Sequence, residues 1–332
     1  MFLLVCYILS TTPSSLTVQA QHVALPVQIS CPILTPQLPE LASSNVHIAD
    51  ISRVNEVIKK FISDGPGKLQ VISDFDHTLS SHTYNNKSCP SCHSILDNSL
   101  LLPEDFRVKA AELRNIYYPI EIDPNLGIEQ KIPKMVEWWT EAHKNLERLR
   151  ISRDSLKKMV AESSARLRDG CDILFQNLEQ HNVPLLIFSA GLGDIIREIL
   201  EQKSKVYSNM KIVSNFMKFD EQNLMSGFEG NIIHTFNKNE NAVHKSEYFE
   251  QLKARSNIIL MGDSLGDLRM ADGVEENSVQ LKIGYLNEKV DESLETYKKS
   301  YDICPPGIFL CKFQPVTLGY SVQLLSKEIP FL

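Results

Sequence analysis

The chain has 332 residues, of which 43% are hydrophobic and 23% charged, an ordinary globular composition that suits one large domain or a core with a smaller partner. Its formal charge of −7 argues against a broad basic surface for polymeric nucleic acid, whereas a small phosphate-bearing molecule needs only a local cation. Seven cysteines are an odd number in a chain too long to need a disulfide scaffold, so we expect a reduced, cytoplasmic protein.

Residues 1–44 are predicted to be a variable leader. Its apolar run ends at Leu9, follows no Lys or Arg, and is too short to span a bilayer, so we expect no membrane attachment. The segment Val18-Gln19-Ala20 resembles a small-residue cleavage site. A signal that directs the chain to the endoplasmic reticulum or out of the cell is therefore the alternative.

The first predicted helix precedes the first predicted strand. Apolar residues recur at helical spacing from Val54 to Ile62, and Gly65-Pro66-Gly67 ends this helix. Residues 69–73, centred on Val71-Ile72, are predicted to form a short buried strand, and Asp74-Phe75-Asp76 follows it directly.

The segment from about residue 85 to 170 is predicted to be mostly helical. Two apolar stripes carry this prediction: Met135, Val136, Trp139, Leu146 and Leu149 in the first, and Leu156, Met159, Val160 and Leu167 in the second. Because the segment lies between the first and second predicted strands, we interpret it as a cap inserted into the core.

Three later apolar runs predict strands at residues 184–188, 211–216 and 258–261. Helices alternate with these runs, which predicts an α/β fold with a Rossmann-like parallel sheet core and an inserted helical cap. The predicted division follows: a core of residues 45–84 and 175–303, a cap of residues 85–174, and an atypical C-terminal segment of residues 304–332.

Polar side chains follow three of the predicted strands: Asp74 and Asp76, then Ser189, then Asp263 and Asp267. Ligands bind at the carboxyl ends of strands in open α/β sheets, so we expect these side chains to converge. Each motif alone is weak, because acidic pairs and Ser-Ala-Gly are common in turns. Together they indicate phosphoryl transfer, in which one carboxylate attacks phosphorus and a second protonates the leaving oxygen. Crowded carboxylates would also need a hard cation such as Mg²⁺.

The same residues carry a resemblance to the haloacid dehalogenase superfamily. Residues 74–79 resemble its first signature, residues 188–191 its second, and residues 262–267 its fourth. The chain is more similar still to the cytosolic 5′-nucleotidase III family, which includes the 7-methylguanosine phosphate-specific enzymes, over residues 45–303. Further stretches support this: Cys89–Cys92, Tyr117–Pro124, Met135–Trp139, Val213–Met217 and Phe236–Lys238.

The resemblance implies Mg²⁺-dependent hydrolysis of 7-methylguanosine and pyrimidine 5′-monophosphates through an aspartyl-phosphate, by a monomer. It implies Asp74 as nucleophile and Asp76 as general acid and base. The resemblance further implies that Mg²⁺ is held by the Asp74 carboxylate, the Asp76 main-chain carbonyl and Asp263, with Asp267 in support. It implies that Ser189, Ala190 and Lys238 hold the phosphate. It also implies that Glu121 and Trp139 recognise the base.

The sequence departs from the family pattern at three places. His77 stands where the family commonly has Met, and Ala142 stands where some members have a base-contacting Ser. After Ile303 the pattern is lost, which puts completion of the sheet edge in doubt. A non-catalytic nucleotide-binding or interaction protein is therefore the second hypothesis, but the retained catalytic residues favour the enzyme.

The segment Cys89-Pro90-Ser91-Cys92-His93 matches a haem-attachment pattern. The chain lacks the context of an exported cytochrome, and one cysteine pair is only half of a structural zinc site. The favoured interpretation is a structural turn at the start of the cap.

Overall fold

In the computed structural model of the chain, residues 2–11, 41, 45–123, 125–238, 252, 254–272, 274 and 278–305 are described. The strands are β1 (His47–Ile48), β2 (Leu69–Ser73), β3 (Thr83–Tyr84), β4 (Lys87–Ser88), β5 (Leu185–Leu192), β6 (Met210–Asn215), β7 (Met217–Phe219), β8 (Met225–Phe228), β9 (Asn257–Gly262), β10 (Val279–Gly284) and β11 (Ile303–Cys304). The helices are α1 (Phe2–Thr11), α2 (Ile51–Asp64), α3 (Cys92–Asp97), α4 (Glu104–Ile122), α5 (Ile128–Glu147), α6 (Arg153–Glu162), α7 (Cys171–Gln180), α8 (Gly193–Lys203) and α9 (Val290–Ser300).

A seven-stranded sheet in the order β1-β11-β10-β9-β2-β5-β6 forms the centre of the fold. Only β1 runs antiparallel to its neighbour in this sheet. All residues of β2 and β9 are buried, as expected for continuous apolar strands covered on both faces. The predicted α/β fold with a parallel core is confirmed.

The central position of β2 places three predicted strand ends side by side. Ser73, its last residue, lies opposite Ile187 of β5 and Met261 of β9. The next backbone N–H, that of Asp74, donates to Met261 O at 2.9 Å. Asp74 follows β2 and Asp263 follows β9, so both lie at one edge of the sheet, next to Ser189. The predicted strand 184–188 differs in one respect, since β5 continues to Leu192 and Ser189 lies within it.

Helix α2 shows why the first predicted helix forms. Asp50 caps its first turn, since Oδ1 accepts hydrogen bonds from the backbone N–H groups of Ser52 and Arg53. Gly65, at a φ of 79°, ends the helix and donates its N–H to Phe61 O. The predicted stripe is buried from Val54 to Phe61, and Ile62 is partly buried.

The predicted cap region is mostly helical, with four differences from the prediction, one of which is that α5 ends at Glu147, before Leu149 of the first predicted stripe. A short hairpin, β3–β4, lies at the start of the region. Leu167 does not belong to the second helical stripe, because α6 ends at Glu162 and Leu167 instead forms a β-bridge with Ser80. Val136 is 43% exposed and does not contribute to the core either.

Helices α4 and α5 pack through their own small core of Leu113, Tyr117, Met135 and Trp139. The β7–β8 hairpin packs against α5, where the rings of His143 and Phe228 stack at 3.6 Å. Helix α7 packs against α1, and the predicted cap boundary at residue 174 falls within α7. The division into core and cap at residues 84 and 174 remains a prediction.

The two ends of the described chain both contribute to the core. Within the predicted leader, α1 buries Leu4, Val5, Ile8 and Leu9 in the main hydrophobic cluster. At the other end, Cys304 belongs to β11, so the described strands carry the sheet edge past Ile303 through β11 and β1. Residues 12–40 and 306–332 lie outside the described residues. In the described part, each helix is too short or too polar to cross a membrane.

Candidate active site

Three carboxylates and a lysine form a buried cluster where the central strands end. Asp74 follows β2, Asp263 follows β9, and Asp267 lies in a 3₁₀ helix, Leu265–Ala271. Lys238 Nζ donates to Asp74 Oδ1 at 2.5 Å and to Asp267 Oδ1 at 2.8 Å. One carboxylate oxygen from each aspartate lies within 4.8 Å of the other two. The structure therefore brings three of the predicted aspartates together with Lys238, a lysine that could not be identified from sequence spacing alone.

Asp267 holds the loop that carries Asp263. Its Oδ2 accepts hydrogen bonds from Asp263 N at 3.1 Å, Ser264 N at 2.9 Å and Ser264 Oγ at 3.0 Å. A Cβ at Gly262 would lie 2.4 Å from Asp267 Cβ, so glycine is needed for this close approach. Because Lys238 occupies Oδ1, both oxygens of Asp267 are engaged by donors.

The Asp263 carboxylate accepts fewer hydrogen bonds than that of Asp267. Among the described residues, its Oδ2 accepts one long hydrogen bond, from Asn287 Nδ2 at 3.3 Å. Asn287 Nδ2 also donates to His77 O at 3.1 Å, and Arg168 Nη2 donates to Asn287 Oδ1 at 2.7 Å. These contacts fix the orientation of Asp263 but leave lone pairs that a cation could use.

Burial sets the charge balance of the cluster. Burial raises the pKa of Asp74 and of Asp263, and the neighbouring carboxylates raise both further against the opposing effect of Lys238. Burial alone would lower the pKa of Lys238, but Asp267 and Asp74 raise it by more, so the lysine stays protonated. The cluster thus carries more potential negative charge than its single ammonium neutralises.

Asp76 lies in the loop between β2 and β3. Its Oδ1 accepts a hydrogen bond from Cys92 N at 2.9 Å, in the first turn of α3, and Ser91 caps the same helix. A Cβ at Gly191 would lie 3.0 Å from Asp76 Oδ2, so Asp76 also lies close to the end of β5. Cys92 is buried and free. The first turn of α3 therefore orients Asp76 through the backbone N–H of Cys92.

The turn predicted to hold phosphate lies within the end of β5. Ser189 is buried, and its Oγ accepts a hydrogen bond from Gly191 N at 3.1 Å. Ala190 is partly buried, and its carbonyl accepts hydrogen bonds from Trp139 Nε1 at 3.1 Å and Asn215 Nδ2 at 2.9 Å. The turn is thus held by side chains from both the cap and the core.

Glu121 lies at the end of α4 and contacts the core. Thr235 Oγ1 donates to Glu121 Oε1 at 2.5 Å, and Lys131 Nζ donates to Glu121 O at 2.8 Å. Burial raises the pKa of the Glu121 carboxyl. Thr235 lies three positions before Lys238 in the same loop. Glu121 therefore contacts the loop that supplies the lysine of the aspartate–lysine cluster.

The paired tryptophans of α5 have different surroundings. Trp138 is partly buried and stacks on Tyr117 at 6.0 Å, while Trp139 is 9% exposed and meets Trp138 edge-on at 5.0 Å. Ala142 packs against the same cap core. Trp139 therefore packs in this small core and donates a hydrogen bond to Ala190 O near the end of β5.

Five polar residues near the site were not predicted from the sequence: Cys92, Arg168, Asn215, Thr235 and Asn287. Asn215 is the last residue of β6, and the rule that polar residues at strand ends line a site could have found it. Arg168 and Asn287 had no such signal, since their mutual contact joins positions 119 residues apart.

The chain is similar to known 5′-nucleotidases in sequence and in fold. A family model described as pyrimidine 5′-nucleotidase (UMPH-1) matches residues 77–306. The 7-methylguanosine phosphate-specific 5′-nucleotidase of Mus musculus is 48% identical over 270 residues, which are 81% of this chain and 90% of that protein. The enzyme named 7-methylguanosine phosphate-specific 5′-nucleotidase B of Xenopus laevis is 46% identical over 267 residues, 80% of this chain and 92% of that protein.

A crystal structure of cytosolic 5′-nucleotidase IIIB bound to cytidine matches with a TM-score of 0.76 and 34% identity, covering 82% of this chain and 92% of that one. The sequence resemblance to the cytosolic 5′-nucleotidase III family and the prediction of an enzyme of the 5′-nucleotidase class are thereby confirmed. The chain belongs to the pyrimidine 5′-nucleotidase family.

Proposed function

We propose that the chain removes the 5′-phosphate of nucleoside monophosphates by covalent catalysis at Asp74. The observation that carries this is the buried Asp74 carboxylate at the end of the central strand, held by Lys238, with Asp76 two residues further on. An oxygen of Asp74 attacks phosphorus, the bond from phosphorus to the 5′ oxygen breaks, and Asp76 donates a proton to that oxygen. Asp76 then takes a proton from water as the water oxygen attacks phosphorus, which releases phosphate and restores Asp74.

The phosphate oxygens would be held by Lys238, the Ser189 hydroxyl and the backbone N–H of Ala190. Lys238 is protonated and buried, so its charge acts on phosphate with little screening by solvent. Ser189 Oγ accepts from Gly191 N, which leaves the hydroxyl hydrogen free to donate to a phosphate oxygen.

The donor set fits Mg²⁺ as the cofactor, because it offers carboxylate oxygens that converge within 4.8 Å. We assign Asp74, the main-chain carbonyl of Asp76, and Asp263 as the ligands. Asp267 supports them, since donors already engage both of its oxygens. When bound, the ion would neutralise the crowded carboxylates and the phosphate oxygens.

The proposed substrates are 7-methylguanosine and pyrimidine 5′-monophosphates. Two similar enzymes are named for 7-methylguanosine phosphate, and the similar crystal structure contains cytidine. Glu121 would accept hydrogen bonds from the base edge, and its charge would favour the cationic ring of 7-methylguanine over an ordinary purine. We further propose a cytoplasmic, monomeric protein, in keeping with the cytosolic enzyme of similar structure.

The first test is phosphate release from a panel of nucleoside 5′-monophosphates. We expect turnover with Mg²⁺, its loss in excess chelator, and its return when Mg²⁺ is restored, because the carboxylates would otherwise repel the phosphate. Asp263→Asn should raise the Mg²⁺ concentration needed for half-maximal rate. Full activity in chelator would contradict the metal assignment, and nucleotide binding without turnover would contradict the proposed reaction.

A second prediction distinguishes two roles of Trp139, stacking on the nucleobase and donating a hydrogen bond to Ala190 O. Trp139→Leu removes the aromatic face and the N–H donor to Ala190 O, whereas Trp139→Phe removes only the donor. If the ring stacks on the base, the ratio of kcat/KM for 7-methylguanosine over cytidine monophosphate should fall in Trp139→Leu by roughly 2- to 30-fold, the range expected for a cation–π contact. Trp139→Phe should keep most of the ratio while losing rate on both substrates.

Glu121→Gln extends this test, because it keeps the acceptor for Thr235 and removes the charge. We expect it to lower the rate on 7-methylguanosine monophosphate more than on cytidine monophosphate. An unchanged ratio in both Trp139→Leu and Glu121→Gln would show that the base pocket has been assigned wrongly.

A further inference from the structure

Asn215 connects the two segments that the proposed function places on phosphate. It is the last residue of β6 and is 2% exposed. Its Nδ2 donates to Ala190 O at 2.9 Å, to Gly191 O at 3.2 Å and to Ile233 O at 2.8 Å. Its Oδ1 accepts from Ile233 N at 2.9 Å. One buried amide therefore contacts both the irregular end of β5 and the loop that leads to Lys238.

The local backbone explains why the turn needs such a side chain. The pairing of β5 with β6 shifts register between Phe188 and Leu192, so Ala190 and Gly191 lie outside the regular ladder. Buried carbonyls without ladder partners must be satisfied in another way. Asn215 contacts both carbonyls, and Ser214 Oγ adds a hydrogen bond to Gly191 O at 2.8 Å.

The Lys238 loop has a similar requirement. Residues 232–238 contain no helix or strand, so their position depends on individual contacts. Asn215 engages both the N–H and the carbonyl of Ile233 as a neighbouring strand would. Asn237 Nδ2, which donates to Ile232 O at 2.8 Å, then stabilises the loop internally.

We propose that Asn215 is a positioning residue of the phosphate site, which sets the turn of Ser189–Gly191 and the Lys238 loop at the separation that one phosphate group requires. It acts through these two segments and contacts neither substrate nor metal. The proposal rests on the proposed function and adds to it a residue that determines phosphate affinity without affecting base recognition.

The test compares Asn215→Ala with Asn257→Ala. Asn257 is also fully buried in the sheet, but it begins β9 at the opposite edge, where it donates to Asp64 Oδ2. Dissociation constants for inorganic phosphate and for cytidine are measured with Mg²⁺ present, together with thermal unfolding. For Asn215→Ala we expect phosphate binding to weaken about 10- to 100-fold, as for other residues that orient ligand-binding groups, while cytidine binding changes less than about twofold. Asn257→Ala should lower stability and leave both constants unchanged.

Asn215→Asp is the second variant, since it keeps the size and the acceptor for Ile233 N but loses both N–H donors. It should show the same selective loss of phosphate affinity if Asn215→Ala does not fold. Unchanged phosphate binding in a folded variant, or an equal loss for phosphate and cytidine, would overturn the proposal. Absence of phosphate release by the wild type would instead refute the proposed function, because the binding comparison does not depend on turnover.

Discussion

Asp74→Asn is expected to abolish phosphate release, with a loss in kcat of about 10⁴-fold or more, the scale that follows removal of a nucleophile. The amide has the shape of the carboxylate but cannot attack phosphorus. Its Oδ1 can still accept the hydrogen bond that Lys238 gives to Asp74, and Lys238 keeps its ion pair with Asp267. The fold should therefore survive, and circular dichroism with thermal unfolding would verify this beside the phosphate assay.

Asp64→Asn is the matched control for Asp74→Asn. Asp64 is also an aspartate paired with a lysine, Lys60, but it lies at the end of α2 away from the strand ends that form the site. It should keep the wild-type rate. If Asp74→Asn released phosphate at a comparable rate, the nucleophile would have to be another residue, and the covalent mechanism would be wrong.

The part of the site formed by strand ends could be predicted from the sequence. Strands β2, β5 and β9 are buried and mostly apolar, and a polar residue after the apolar run marks the end of β2 and of β9, whereas β5 continues past Ser189 to Leu192. The general rule for ligand sites in α/β sheets then places Asp74, Ser189 and Asp263 together. Pattern and topology were sufficient because the chemistry lies directly at the strand ends.

The supporting contacts could not be predicted in this way. Asn287 and Arg168 orient Asp263 and the backbone of His77 through contacts between distant segments, and no local periodicity encodes such contacts. Strand β10 was missed although its residues alternate between apolar and polar, a pattern that could have predicted a half-buried strand. The two-residue strands β1 and β11 leave no pattern to detect.

Helix α1 illustrates a different difficulty. Its apolar run is too short to span a bilayer, and its composition fits a signal sequence, a leader or a buried helix equally well. The structure packs it against α7 with Ile8 fully buried, a tertiary contact that the sequence pattern alone does not predict. The same dependence on tertiary contacts holds for Trp139, whose N–H bonds to Ala190 O across the boundary between the proposed cap and core.

Asp76→Asn is expected to slow release of phosphate from nucleoside monophosphates about 10²- to 10⁴-fold, the contribution typical of a general acid or base. The asparagine Oδ1 can accept the same hydrogen bond from Cys92 N, so the side chain should remain oriented. It has no proton to give the leaving 5′ oxygen and cannot remove one from water. Both chemical steps should therefore slow while the aspartate nucleophile remains intact.

Two substrates with different leaving groups distinguish a role of Asp76 as general acid from a purely structural role. Phenyl phosphate and p-nitrophenyl phosphate are similar in size, and neither carries a nucleobase. They differ in the leaving group, because p-nitrophenolate leaves without needing a proton and phenolate does not. In Asp76→Asn the first step should be far less impaired with p-nitrophenyl phosphate than with phenyl phosphate. Attack of water on the aspartyl-phosphate should stay slow, so a burst of p-nitrophenolate, about equal to the enzyme concentration, should precede a slow phase. Asp74→Asn should give no burst. An equal loss of rate on both aryl phosphates, without a burst, would show that Asp76 is not the general acid.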